Sequence, residues 1–439
     1  MAENHKLLMA LALGLYLSGN LFAQNTHTTV RHHRVVEEDT SQPPELIQAE
    51  NAIQKKDYVT AGPLLKKVVA ADPHNYQAWF DLGFVSNALG NEADSIAAYR
   101  KSVAAKPDVF ESNLNLGLML AKAGQPDAET FLRAATRLKP TAQAAEGRAR
   151  AWVSLGHVLS AKDPDGAIEA FHQATLLQPK DPEPHLSAGS ILEGQNHYAD
   201  AEQEYKQALA LDPNSTDAFT GLANIYMRGH RFGDAEDALR KLVALRPNDA
   251  GAHTQLGRML AADKRYDEAV AELQSTLKIV PNDPNVQRDL ADIYIMAGKY
   301  AEAEAQYKTL LASRFKDPQL HAGLGQALLK QHKFLEAQQE FIAAVSLKPD
   351  YGEAWGSLAT AANENKNYGL VLKALEERAK FLPDIAICYF MRASAYDHLR
   401  DPKLASENYH RFLETANGQY PDQEWQARHR LIAIEPKRK

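Results

Sequence analysis

A single cysteine, Cys388, stands in 439 residues, so the chain has no intramolecular disulfide and no thiol paired with a resolving partner. Its place in a stretch patterned as helix reads as that of a small buried hydrophobe. Also missing are a glycine-rich phosphate loop, an HExxH zinc helix, a GxSxG elbow and a CxxC pair. Charge of one sign never accumulates: 49 basic and 56 acidic side chains are interleaved for a net charge of -7. Without a basic stripe there is no counterion-releasing surface, and nucleic acid is excluded as a partner. The carboxylates show no pairing that sets them apart from a solvated face. These absences describe a non-enzymatic chain with no cofactor.

Long apolar runs are equally scarce. The run from Leu7 to Leu17 follows Lys6 and exits through Leu21-Phe22-Ala23 before Gln24, the pattern of a secretory signal peptide over residues 1–23. It falls short of the about 20 apolar residues that span a bilayer, so no stable membrane span is expected once it is cleaved. An uncleaved signal-anchor is the alternative. No cysteine lies near the exit to carry a lipoprotein anchor. The expected location is therefore outside the cytoplasm, periplasmic in a Gram-negative source or else secreted. Residues 24–43 lack an apolar period and read as a linker. The pair His32-His33 within it has no further ligands at metal-site spacing.

What the chain has in plenty is Ala, Leu and periodicity. An apolar residue followed by a small one recurs every 34 positions at Ala188-Gly189, Leu222-Ala223, Leu256-Gly257, Leu290-Ala291, Leu324-Gly325 and Leu358-Ala359. A second series keeps the period at Phe171, Tyr205, Leu239, Leu273, Tyr307, Phe341, Leu375 and Tyr409. A third places an aromatic at Tyr198, Phe232, Tyr266, Tyr300, Phe334 and Tyr368, and a fourth places proline at 179, 213, 247, 281, 349 and 383. Residues such as Trp79, Leu82 and Ser86 share one helix face by the i, i+3, i+7 rule. The small residue lets two helix axes approach, and the proline ends the second helix.

These phased series resemble the tetratricopeptide repeat (TPR), a 34-residue helix-turn-helix unit, and the copy with Trp79, Leu82, Gly83, Tyr99 and Pro107 carries the likeness most fully. The resemblance implies an all-α, right-handed superhelical TPR solenoid of about eleven repeats. The copies start near Pro44, Tyr76, Phe110, Ala149, Pro182, Thr216, Ala250, Pro284, Pro318, Gly352 and Ala386. Leu116 to Leu155 spans 39 residues instead of 34, and the surplus at Thr141 to Arg150 reads as an N-terminal extension of a first helix. The expected organisation is one block over residues 44–140, a second over 141–414, and a capping helix and tail over 415–439 with Trp425, Leu431 and Ile432 apolar. Phe315, at a proline position, is expected to pack at the inter-repeat corner. His185, His253 and His321 stand where other copies carry Trp, so they read as packed interhelical residues and no metal site is expected.

In this family the first helices line a concave groove, and the ladder one residue beyond the Gly or Ala position points into it. The candidate groove residues are Phe80, Phe84, Asn87, Ser190, Thr220, Asn224, Arg258, Arg288, Asp292, Gln326, Thr360 and Asn363. Their amide-rich middle suits hydrogen bonding to an extended peptide. The family's clamp for chaperone-tail carboxylates fails here, because Thr220, Asn224, Gln255, Asn285 and Asp289 keep only the asparagine step. The resemblance implies a scaffold that binds a protein or extended peptide within a cell-envelope assembly. A carbohydrate-handling subunit, for exopolysaccharide export or beside a glycosyltransferase, is the alternative.

Overall fold

The computed structural model describes residues 42–435. The expected signal peptide and the linker up to residue 41, with His32 and His33, lie outside the described residues.

Helix boundaries follow from local chemistry. An Asp, Asn or Ser often precedes the first turn and accepts a backbone N–H there, as Asn75 does from Ala78 at 2.9 Å and Asp249 from Ala252 at 3.0 Å. Pro284, Pro318 and Pro402 fill first-turn positions, where a missing donor costs nothing. At the bend inside a repeat the chain turns through one left-handed residue: Lys56, Gly90 and Gly124, then every 34 residues from Asn196 to Arg400. The next N–H closes back on the helix, as from Asp57 to the Ala52 carbonyl and from Arg265 to the Leu260 carbonyl, both at 2.8 Å.

Among the described residues every regular element is a helix. The first helices of the hairpins are α1 (Pro44–Gln54), α3 (Tyr76–Ala88), α5 (Phe110–Lys122), α7 (Ala144–Leu159), α9 (Glu183–Gly194), α11 (Thr216–Arg228), α13 (Ala250–Ala262), α15 (Pro284–Met296), α17 (Pro318–Lys330), α19 (Gly352–Glu364) and α21 (Ala386–His398). Their second helices are α2 (Tyr58–Ala71), α4 (Glu92–Ala105), α6 (Ala128–Arg137), α8 (Pro164–Leu177), α10 (Tyr198–Leu211), α12 (Phe232–Leu245), α14 (Tyr266–Ile279), α16 (Tyr300–Ser313), α18 (Phe334–Leu347), α20 (Tyr368–Ala379) and α22 (Pro402–Ala416). A last helix, α23 (Pro421–Ile434), follows and packs against α22.

The described chain forms two compact units, residues 42–245 and 246–435. In the first, α1 meets α3, α5 meets α7 and α9 meets α11; in the second, α13 meets α15, α15 meets α17 and α17 meets α19. No second helix meets the next second helix as closely. First helices therefore crowd one side of each unit, as in a solenoid whose first helices line the inner face.

Within a hairpin the close approach is set by the small residue. A Cβ on Gly83 would lie 2.8 Å from the Tyr99 ring, and one on Gly156 would lie 2.6 Å from Phe171, so nothing larger fits without parting the helices. The 39-residue spacing is absorbed at the start of α7, which begins at Ala144, ahead of Ala149, the residue in register with Phe110. One apolar cluster, from Phe110 and Leu114 through Leu132 and Ala149 to Phe171 and Ala188, spans the insertion. Cys388 is buried.

Two expectations are corrected. Phe315 does not pack at the corner: its ring is 66% exposed, and it is its carbonyl that is used, accepting from His321 Nε2 at 2.9 Å. The apolar face of α23 is also narrower than its composition implies. Ala427 and Leu431 are buried against the last hairpin, whereas Trp425 is 62% and Ile432 77% exposed. Ala427 and Leu431 are four residues apart and lie on one helix stripe, whereas Trp425 and Ile432 share the opposite, exposed side.

Candidate functional site: the first-helix faces

The fourth residue of a first helix has a recurrent task. Trp79 donates its indole N–H to the Pro73 carbonyl at 2.9 Å, Asn113 its amide to the Pro107 carbonyl at 2.8 Å, and Trp355 to the Pro349 carbonyl at 2.8 Å. His253 and His321 pair the same way with Pro247 and Phe315, at 3.1 and 2.9 Å. Each closes the loop that leads into its own repeat, six residues back. The second ring nitrogen of the histidines meets a carboxylate on the paired helix: His185 with Glu204 at 2.6 Å, His253 with Glu272 at 2.6 Å, His321 with Glu340 at 2.7 Å. Among the described residues no group of three His, Cys, Asp or Glu could hold a metal ion.

In the unit 42–245 the candidate residues are spread along the faces of α3, α9 and α11. Phe80 is buried with its ring edge-on to Tyr99, and Phe84 is half-buried against Tyr58 at 6.0 Å between centroids. Asn87 and Asn224 are half-buried and Ser190 is exposed. Thr220 returns its hydroxyl to the Thr216 carbonyl at 2.8 Å, which leaves it less to offer a ligand. Beside Asn224 the Tyr205 hydroxyl donates to Glu193 at 2.9 Å. Burial raises the Glu193 carboxyl above its ordinary range, against the opposing pull of Tyr205, Arg228 and Asn224.

In the unit 246–435 three candidates converge. Arg258 binds the buried Asp289 carboxylate at 2.6 Å, and Arg288 donates to Gln319 at 2.8 Å. Asp292 accepts from the Tyr307 hydroxyl. Burial pushes Asp292 up to about 6, with the Tyr307 hydroxyl and the Arg288 charge opposing. Farther along, Gln326 and Asn363 are half-buried, and Thr360 is exposed with its hydroxyl on the Gly356 carbonyl at 3.2 Å.

The sequence did not single out Tyr205, Tyr307 and Tyr409 as polar groups, since they belong to the series that packs the hairpin. Yet their hydroxyls reach through to Glu193, Asp292 and Asp397. Their spacing of three repeats was the one available signal. The candidates thus supply about one or two polar groups per repeat, strung along helix faces rather than gathered around one reacting atom. Such side chains can hydrogen-bond an extended chain.

Tetratricopeptide repeat profiles match residues 52–114 and 260–327, and residues 88–143, 157–216, 220–284 and 322–380. Tetratricopeptide repeat protein 37 of Xenopus laevis is 34% identical over 82 residues, 19% of this chain and 5% of that protein. The CTR9 homolog of Arabidopsis thaliana is 32% identical over 111 residues, 25% of this chain and 10% of that protein. The chain therefore spans a tenth or less of these relatives. The crystal structure of the APC/C hetero-tetramer Cut9-Hcn1 is similar over 87% of this chain and 95% of that one, at 15% identity and a TM-score of 0.41. No helix among the described residues is long and apolar enough to cross a membrane.

Proposed function

Starting from the fact that the chain belongs to the tetratricopeptide repeat family, whose members are generally non-catalytic scaffolds and whose fold is consistent with protein–protein interaction, we propose that it is a non-catalytic adaptor. It binds a protein or an extended peptide along its first-helix faces. The observations that carry this reading are the half-buried amide and charged side chains on first helices, Asn224 in one unit and Arg288, Gln326 and Asn363 in the other. An extended peptide presents a donor and an acceptor at each residue, which such side chains can answer along its length.

The N-terminal pattern supports export, and the working location is the periplasm as part of an envelope assembly. Cell fractionation with N-terminal sequencing tests the location: a mature chain beginning at Gln24 in the envelope fraction is expected, and a cytoplasmic chain retaining Met1 would refute it. Affinity capture from envelope extract tests binding. A partner that loses at least about tenfold in recovery with Asn224→Ala or Arg288→Glu fits the reading, a loss of about 1.4 kcal/mol. Equal recovery with both variants and the parent would refute it.

A further inference from the structure

The joint between α22 and α23 runs from Asn417 to Tyr420 and carries the chain's single Asn-Gly pair. Both residues of the pair stand in the left-handed region, Asn417 at φ 46° and ψ 38° and Gly418 at φ 77°, and both are exposed. Asn and Gly are the residues that end a helix this way at least cost. A backbone bond from the Gln419 N–H to the Ala416 carbonyl, 2.9 Å long, closes the turn. The Gly418 N–H makes no hydrogen bond among the described residues, and a Cβ on Gly418 would meet nothing within 4 Å.

That combination sets Asn417 apart from asparagines in comparable turns. After Asn196, Asn214, Asn248 and Asn365 the next N–H is tied to a carbonyl, at 2.8, 3.1, 2.9 and 2.9 Å, and the next residue carries a side chain. A nitrogen held in such a bond is turned away from the side-chain carbonyl one residue back. At Asn417 the following nitrogen is unengaged, solvent reaches it, and no side chain stands in its way.

We propose that Asn417 is a site of spontaneous backbone modification that in time releases the terminal helix from the last hairpin. The Gly418 nitrogen attacks the carbonyl carbon of the Asn417 side chain and closes a five-membered imide. The bond from that carbon to the side-chain nitrogen breaks, and ammonia leaves with the proton that the Gly418 nitrogen gives up. Water then opens the ring. Opening at the main-chain carbonyl routes the backbone through the side-chain carbon, an isoaspartate whose backbone is longer by a methylene; opening at the other carbonyl leaves an aspartate. Solvent supplies the base and the water.

The position of the turn gives the change its effect. Ala427 and Leu431 seat α23 in the core of the last hairpin, and Tyr420 lies against Phe412 with 6.1 Å between ring centroids. The turn sets the reach from the buried Ala416 to those contacts. A longer backbone and a new carboxylate at the joint move Tyr420 off Phe412, and apolar surface of the hairpin meets water.

Peptide mapping of the full chain after incubation in mildly alkaline buffer tests the chemistry. Conversion at Asn417, with isoaspartate among the products, is expected at least about tenfold faster than at Asn196, Asn214, Asn248 or Asn365. It should slow in mildly acidic buffer, because the attacking nitrogen must lose its proton. Limited digestion with trypsin tests the consequence. Cleavage after Arg428 and Arg430 should quicken at least about tenfold in the aged chain. It should not quicken in aged Asn417→Gly, which keeps a left-handed turn and has no side-chain amide. Equal conversion at Asn417 and the other asparagines, or none at Asn417, would overturn the proposal. So would an aged chain, converted at Asn417, whose Arg428 and Arg430 stay as protected as in the fresh one.

Discussion

His253 joins two parts of its repeat: Nδ1 lies 2.6 Å from Glu272 on the paired helix and Nε2 lies 3.1 Å from the Pro247 carbonyl in the preceding loop. Trp79 and Trp355 make only the second of these contacts. Two structural tasks thus fall on one side chain that is 8% exposed.

Removing the ring nitrogens should therefore cost more than changing the ring. His253→Phe is expected to destabilise by about 1–3 kcal/mol, because it takes the polar contacts to the loop carbonyl and the paired helix out of a buried position. His253→Trp restores the carbonyl bond in a position that accepts Trp elsewhere, and should be the milder of the two. Urea denaturation of both variants beside the parent checks the order; a Phe variant at least as stable as the Trp variant would contradict it.

Tyr205 is held between two first helices. A Cβ on Gly221 would fall 2.2 Å from its Cζ, and one on Gly189 would fall 2.9 Å from its Cε1. Gly221→Ala should cost about 1–3 kcal/mol through forced movement of the ring. Gly194 has open space around it, and Gly194→Ala should gain up to about 1 kcal/mol from helix propensity alone. Thermal melts of the two variants should therefore move in opposite directions.

Asp292 gives a pH dependence with a definite sign. Its carboxyl titrates at about 6 in the folded chain, against about 3.9 for an unperturbed Asp. The folded state binds this proton more tightly, so the site's contribution to stability is complete below about pH 4 and is lost as pH rises through about 6. Asp292→Asn keeps an acceptor for Tyr307 and removes the titration. Between pH 4 and pH 7 the stability difference should shift in favour of the variant by on the order of 2 kcal/mol. Denaturant titrations at both pH values check this, and a difference that does not vary with pH would refute it.

The stacking of hairpins was legible because its signals are residue types at fixed spacing. Gly83 and Gly156 had to be small, and the residues facing them, Tyr99 and Phe171, had to be large. The bends inside repeats were marked by the aromatic series from Tyr198 to Tyr368, but their left-handed residues were not: most carry Lys, His, Asn or Arg, as at Lys56, His230 and Arg400, so no glycine series marks them. The face of α23 misled for a related reason. Composition places Trp425 and Ile432 among the core formers, but only the helix's rotation, set by Ala427 and Leu431, decides which of them meets the hairpin. Of the ladder, the sequence carried the register but not the partners. Arg258 with Asp289, and Tyr307 with Asp292, are contacts between helices that local spacing does not encode.

The central claim is that a protein partner lies on the first-helix side. A photo-crosslinking residue placed at the exposed first-helix positions Ser190 and Thr360, and separately at the exposed second-helix positions Leu176 and Lys373, tests it in intact envelopes by mass spectrometry. Adducts to another protein from positions 190 and 360, and none from 176 and 373, are the expected result. Adducts from the second-helix positions alone would contradict the account.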